Sequence, residues 1–365
     1  MQPVTAPMQK LAAHVVAQDA EGHLPKATVK KCAADFNMTV VELEKTLSLL
    51  MSDDESNNVK ATARFRKILS KDEPPIDAAV NVNLVPRLCA FVTRGTNADL
   101  QLEAAWALTN IALGEASHVD AIVDAGGIPK LLNLVKTANP ALQEQGTWAL
   151  GNIATKSAAH RDRILGAGAV EAISAMLLAA HAAGAVALLR IGTWTYSRLC
   201  RNKEVSPRLD AVSPGLAALD SVLSSDDDQV LANTCWCLAY LSDGDDEHVS
   251  GVLEAGSVAF NAISLIKHPN LEVVTPAIRT LGNLVSGSDA LTQLVVNKRP
   301  LDALKHLIDN RSEAALIKEA CFAISNLCAG TRAQLQHVLE FEGGKLLVDV
   351  ASRLPGLPSL AKKDA

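Results

Sequence analysis

The four tryptophans of this chain stand at near-constant intervals: Trp106, Trp148, Trp194 and Trp236 are separated by 42, 46 and 42 residues. They are all the Trp the protein has, so the spacing reads as a register. It continues in phase through Arg279 and Phe322, each 43 residues after its predecessor. Four residues behind runs a second series, Asn110, Asn152, Arg198, Tyr240, Asn283 and Asn326. Positions i and i+4 share one face of a helix, and a fixed period of this length is the signature of a stacked-repeat architecture.

The segments carrying the two series, among them LQLEAAWALTNIAL, LQEQGTWALGNIAT and IKEACFAISNLCA, place aliphatic residues at helical spacing on the opposite face. A helix-ending Gly often follows: Gly114, Gly244, Gly287 and Gly330. Between these segments lie a shorter and a medium helix, as in HVDAIVDAGGIPKLLNLV, with Gly126, Gly168 or Gly256 at the corner. The unit is therefore three helices in about 42 residues, and a unit of that size cannot bury its own apolar faces. The spacing predicts an all-α fold, a right-handed superhelix (α-solenoid) of about seven to eight three-helix repeats. Its expected limits are residues 39–354, with a degenerate first repeat over 39–71, six full ones to Gly330 and a partial last one. Residues 1–38 are expected to be an N-terminal segment, partly helical (MQKLAAHVVAQ) or disordered and otherwise polar linker, and 355–365 a frayed tail.

Composition agrees with this and excludes several classes. The chain is 48% hydrophobic but only 3% aromatic, so its core must be aliphatic. No apolar run reaches the ~18–20 residues that span a membrane, and a net charge of −6 argues against general binding to nucleic-acid phosphates. A basic partner fits better. The seven Cys form no CxxC pair, and Cys200, Cys235, Cys321 and Cys328 sit in apolar helical settings, as reduced core thiols of a cytosolic or nuclear protein would. The His residues are scattered, without HExxH or a phosphate loop. No catalytic residue, metal site or cofactor is expected.

In such a stack the third helices line the concave face, and the Trp and Asn series form parallel ladders along it. Packed helices lie roughly 8–10 Å apart and an extended chain advances ~3.3 Å per residue, so successive Asn amides match an extended peptide every two to three residues. An amide donates and accepts at once, as a peptide bond does. Indole faces between the amides make slots for Lys or Arg stems and their cationic heads. A row of Asn used only for packing would carry unpaired amides, which favours reading the ladder as a ligand surface.

The motifs WALTNIA, VDAG, WALGNIA, HRDRIL, WTYSRLCR, CWCLAYLSDG, TPAIRTLGNLVSG and KEACFAISN together resemble the armadillo repeats of importin-α, over about residues 39–345. That resemblance implies a non-enzymatic adaptor of cytoplasm and nucleus that holds Lys/Arg-rich nuclear localisation signals in its groove and is carried by importin-β. It maps the larger peptide site to Trp106, Asn110, Gly114, Gln145, Trp148, Asn152, Trp194 and Arg201. The smaller one maps to Trp236, Tyr240, Asp243, Arg279, Asn283, Asp289, Thr292, Glu319 and Asn326.

Three positions of the larger site depart from the family: Arg198 replaces an Asn, Lys156 an acidic residue that pairs with cargo Lys, and Val119 a hydroxyl residue. The resemblance therefore implies peptide cargo, basic in the family, with an altered larger site. The family's N-terminal basic segment, which recruits importin-β, has no counterpart: residues 1–60 hold six Lys, eight acidic residues and no Arg, and KATVKK is their one basic cluster. Neither autoinhibition nor strong importin-β recruitment is expected. The match also stops about two repeats short of the family's export-receptor region. The competing expectation is a non-transport armadillo scaffold that holds a different extended peptide in the same groove.

Overall fold

The computed structural model describes residues 24–93, 97–201 and 205–353. Among them are twenty-three α-helices and no strand. They divide into two compact units, one ending at Ala167 and the other beginning at Gly168. The segment MQKLAAHVVAQ and the tail 355–365 lie outside the described residues.

The first unit contains α1 (Lys26–Asp35), α2 (Val40–Met51) and α3 (Glu55–Leu69), then α4 (Ile76–Asn81), α5 (Leu84–Val92) and α6 (Ala98–Ile111). It continues with α7 (Ala116–Asp124), α8 (Gly127–Val135), α9 (Pro140–Ala154) and α10 (Ala158–Gly166). Here α3 packs on α6 and α6 on α9, while α5 packs on α8 and α4 on α7. Like helices of successive repeats therefore lie side by side, as a solenoid requires.

The second unit begins with α11 (Ala169–Ala183) and α12 (Val186–Cys200), followed by α13 (Leu209–Val212), α14 (Leu216–Val222) and α15 (Asp228–Ser242). Next come α16 (Asp246–Glu254), α17 (Val258–Ser264) and α18 (Leu271–Leu284), then α19 (Asp289–Val296), α20 (Pro300–Asn310) and α21 (Ala314–Ala329). It closes with α22 (Arg332–Glu340) and α23 (Lys345–Arg353). The third helices α12, α15, α18 and α21 pack in order. Among the described residues the helices follow in sequence as seven sets of three and a closing pair.

The first repeat is more complete than the sequence suggests. Residues 26–35 form α1 where polar linker is expected, and it packs on α2 and α4. Cys32 and Phe36 are each 1% exposed, and the Phe36 ring meets Phe65 edge-on at 5.3 Å. Lys26, Lys30 and Lys31, the KATVKK cluster, are exposed on this folded helix.

Local chemistry sets the helix boundaries. Five third helices begin on an Asx side chain that accepts a backbone N–H of the first turn, Asp54, Asn97 and Asn139 in the first unit and Asp227 and Asn270 in the second, while α12 and α21 begin on Ala185 and Glu313 without a side-chain cap. Gly126, Gly168 and Gly256 have φ of 69°, 83° and 86°, as a left-handed corner demands. The same corner recurs at Asn37, Asn83, Arg299 and Glu342, with φ of 53°, 57°, 57° and 46°. Asn37, Asn83 and Arg299 keep the phase without a glycine, whereas Glu342 is followed by Gly343 and Gly344, which also have positive φ.

Gly114, Gly244 and Gly330 follow the ends of α6, α15 and α21, as expected, but without the positive φ of a left-handed cap. A Cβ on Gly114 would lie 2.3 Å from His118 Nδ1, and one on Gly330 2.1 Å from Gln334 Oε1. The side chain four residues on folds back over each. His118 Nδ1 accepts the Glu115 N–H at 2.9 Å, while Nε2 lies 2.7 Å from Asp77 Oδ1 in the preceding repeat.

The buried interior is aliphatic, with Leu88, Leu100, Leu131, Leu219, Leu281 and Leu304 among its fully enclosed side chains. All seven Cys are free thiols. Burial pushes the Cys89 thiol up to about 12 and raises Cys235 too, so these stay neutral and unreactive.

A non-glycine residue held in the left-handed region costs about 1–2 kcal/mol. Gly256→Ala is therefore expected to lower stability by about 1 kcal/mol and Arg299→Gly to raise it modestly, both read as shifts in urea midpoint.

Candidate peptide-binding surface

The Trp and Asn series do share one face of the third helices, and each unit presents its own stretch. In the first unit Trp106 and Trp148 are exposed at 36% and 37%, high for residues whose area favours burial. Asn110 lies half-buried beside them and donates from Nδ2 to Ser70 Oγ at 2.9 Å. Asn152 is 4% exposed, and its Nδ2 donates to the Thr109 carbonyl at 3.2 Å. In the second unit Asn283 Nδ2 donates to the Ala239 carbonyl at 2.9 Å and Asn326 Nδ2 to the Gly282 carbonyl at 3.3 Å.

A rule links the last three contacts: each amide reaches the carbonyl one residue before the ladder position of the preceding repeat. The expectation that a packed Asn row carries unpaired amides is thus corrected. One N–H of each amide fastens adjacent helices; Asn283 Nδ2 also lies 3.4 Å from Ser242 Oγ, and the amide oxygens are left for other partners.

The rings carry resident cations. Arg66 on α3 lies 4.3 Å from the centroid of Trp106 and is gripped by Glu103, Nε to Oε2 at 2.7 Å and Nη2 to Oε1 at 3.1 Å. In the second unit Arg198 lies 5.2 Å over Trp194, Arg279 5.8 Å over Trp236 and Arg201 6.0 Å over Tyr240. Arg279 also pairs with Glu319 at 2.6 Å. Trp236 and Tyr240 stack at 5.3 Å, 26° apart. Such contacts are worth about 0.5–2 kcal/mol each.

Sequence reasoning missed Arg66, Ser70 and Glu103. A signal existed: Arg66 and Ser70 stand 40 residues before Trp106 and Asn110, one repeat back in both series.

Not every mapped residue faces outward. Val119 is 0%, Thr292 2% and Gln145 9% exposed; Thr292 Oγ1 donates to the Val285 carbonyl, and Thr109 Oγ1 lies 3.4 Å from Gln145 Oε1. A hydroxyl at 119 would therefore be buried, and the Val costs this surface nothing. Lys156, by contrast, does reach the ladder. Its Nζ donates to the Leu113 carbonyl at 2.9 Å, at the C-terminal end of α6, where helix carbonyls favour a cation. Asp243, Asp289 and Phe322 are exposed, and Phe322 lies against Gly282, where a Cβ would come within 3.1 Å of its ring.

Beside Asn110 and Gly114 opens a cavity of about 520 Å³, lined in part by Asp72, Asp77 and Glu115 and also by Lys71 and His118. Carboxylates thus stand at this end of the first unit, one repeat before the Lys156 position. Among the described residues no group of three or more His, Cys, Asp or Glu is placed to hold a metal ion.

A helical solenoid with an exposed aromatic and amide row on its third helices defines an armadillo-repeat protein, and residues 72–113 and 116–155 match the armadillo/beta-catenin-like repeat. The structure resembles that of an engineered protein with a TM-score of 0.74 at 24% identity, covering 95% of this chain and 87% of that one. In sequence the chain is 38% identical over 321 residues to importin subunit alpha-1a of Oryza sativa subsp. japonica, covering 87% of this chain and 60% of the rice protein. It is 38% identical over 274 residues to importin subunit alpha-3 of Arabidopsis thaliana (75% and 51%) and 40% identical over 265 to importin subunit alpha-B of Dictyostelium discoideum (72% and 51%). The chain belongs to the importin-α family of armadillo-repeat proteins. It spans between half and three fifths of the length of these relatives.

If the amides fasten the helices, replacing one must cost stability with no ligand present. Asn283→Ala is expected to lose about 1 kcal/mol in urea unfolding, and Asn152→Ala more, because its site is buried. An unchanged midpoint for both would contradict the fastening role.

Proposed function

We propose that the chain is a peptide-binding adaptor of nuclear import, holding extended Lys/Arg-rich localisation signals along the third-helix face, with the larger site retuned. The observation that carries this reading is the ladder itself: indoles, exposed at Trp106 and Trp148, alternate with amides, of which Asn110, Asn283 and Asn326 remain partly exposed. The smaller site, within the second unit, keeps exposed acceptors for a basic peptide in Asp243 and Asp289, while the mapped Glu319 is paired with Arg279. The mapped residues Trp236, Tyr240, Asn283 and Asn326 would hold the peptide there.

Within the first unit the cationic slot of the family is filled by the protein's own Lys156. The cavity beside Asn110, with Asp72, Asp77 and Glu115 around it, offers a basic side chain a replacement. The proposed partners are basic cargo peptides, and the proposed location is cytoplasm and nucleus. Importin-β recruitment is expected to be weak, because Lys26, Lys30 and Lys31, the basic cluster of the first 60 residues, are built into the folded helix α1.

Fluorescence anisotropy with a labelled Lys-rich signal peptide tests the reading. Micromolar binding is expected, weakened at least about tenfold by Trp236→Ala, and strengthened by the pair Lys156→Asp and Arg198→Asn, since like-charge juxtaposition costs up to several kcal/mol when desolvated. Binding that ignores both changes would sink the proposal. An unbiased peptide array separates this function from a scaffold for some other extended peptide.

A further inference from the structure

Arg198 differs from the other arginines of the second unit's third helices. Arg190 is held by Asp227 at 2.6 Å and Arg279 by Glu319 at 2.6 Å. Arg198, in the Asn series, has its guanidinium over Trp194 and its Nε buried with no hydrogen-bond partner among the described residues. A buried charged donor without an acceptor is a costly arrangement.

Among the described residues no carboxylate is paired with Arg198. The nearby Cys237 thiol is fully buried, and burial raises it well above its ordinary range, so it stays protonated despite the opposing pull of Arg198. Arg201, three residues on and lying over Tyr240, adds a second positive charge to this stretch. The surface at Arg198 thus combines an indole face, a planar donor fork and net positive charge. A guanidinium fork fits carboxylate or phosphate oxygens two at a time and has no acceptor to offer a cation.

We infer that Arg198 is a binding site for an anionic side chain of the bound peptide, carboxylate or phosphate, so that this protein selects signals in which one acidic residue interrupts basic ones. The inference rests on the groove reading of Proposed function. It departs from a merely weakened site, because it assigns Arg198 a ligand of its own.

The test uses the full chain and fluorescein-labelled nine-residue Lys/Ala peptides. A single guest (Lys, Gln, Glu or phosphoserine) is walked through the three central positions, to allow for register. In at least one register the Glu or phosphoserine guest should bind at least about tenfold tighter than the Lys guest. Arg198→Asn should abolish that preference, and Arg198→Lys, which keeps the charge but not the fork, should retain only part of it. A phosphoserine guest that outbinds Glu with the same loss in Arg198→Asn assigns the anion as phosphate; the reverse order assigns it as carboxylate.

Equal or tighter binding of the Lys guest in all registers, or a preference that survives Arg198→Asn, overturns the inference. The variant Trp236→Ala separates the two levels of the reading. If it weakens all guests alike while wild type does not distinguish Glu from Lys, the groove stands and the Arg198 site falls. If no guest depends on Trp236, the groove reading falls with it. Circular dichroism melting of each variant establishes that the fold is intact.

Discussion

A side-chain amide reaching from one third helix to a backbone carbonyl of the previous one is the contact on which the geometry of both units depends. Asn152 makes it to Thr109, Asn283 to Ala239 and Asn326 to Gly282. Helical carbonyls already serve their own helix, but each oxygen has a second lone pair, and the amide uses it. This fixes the phase of one helix against the next, and with it the line along which the indoles and free amide edges are displayed. Fold and proposed ligand surface are thus built from the same residues. A change at a ladder position alters both, unless a neighbour takes over the structural half.

Such a takeover is visible on α15. Tyr240 occupies a ladder position without an amide to offer. Seven residues earlier Asn233 Nδ2 donates to the Arg190 carbonyl on α12 at 3.3 Å, and the Cys237 thiol approaches the Thr193 carbonyl at 3.7 Å. With the helix pair held there, Tyr240 is free to stack on Trp236. Sequence variation along the ladder is tolerated where the fastening moves along the helix.

The repeat architecture was legible because it rests on residue types that are rare in this chain. Trp marks the register and Gly marks three of the corners, so the three-helix unit follows from spacing alone. Where a common residue fills the same position, the signal vanishes. Asn83 and Arg299 make the same left-handed corner as Gly126, and Arg66 and Ser70 continue both ladders one repeat back, yet none announces itself by type. Helix α1 was hidden in the same way, its buried face being only Val29, Cys32 and Ala33. Burial was less legible still. The resemblance placed Val119, Gln145 and Thr292 in the peptide sites, but a position on a first helix, or one turn off the exposed stripe, points between helices once the repeats stack.

The resident arginines change what an indole on this surface means. Over Trp106 and Trp236 the cation is intramolecular and already neutralised, by Glu103 and Glu319. A peptide cation arriving at either ring meets a paired guanidinium, so what these rings offer a basic side chain is apolar contact with its stem, and exchange of the cation would break a bidentate pair at Arg66. Trp148 is different: it is exposed, and no cation lies over it among the described residues. In the first unit a basic side chain therefore gains most at Trp148 or in the acidic cavity beside Asn110, not at Trp106. The tryptophan register still gives the position of the groove, but affinity along it follows the charge left unpaired at each ring.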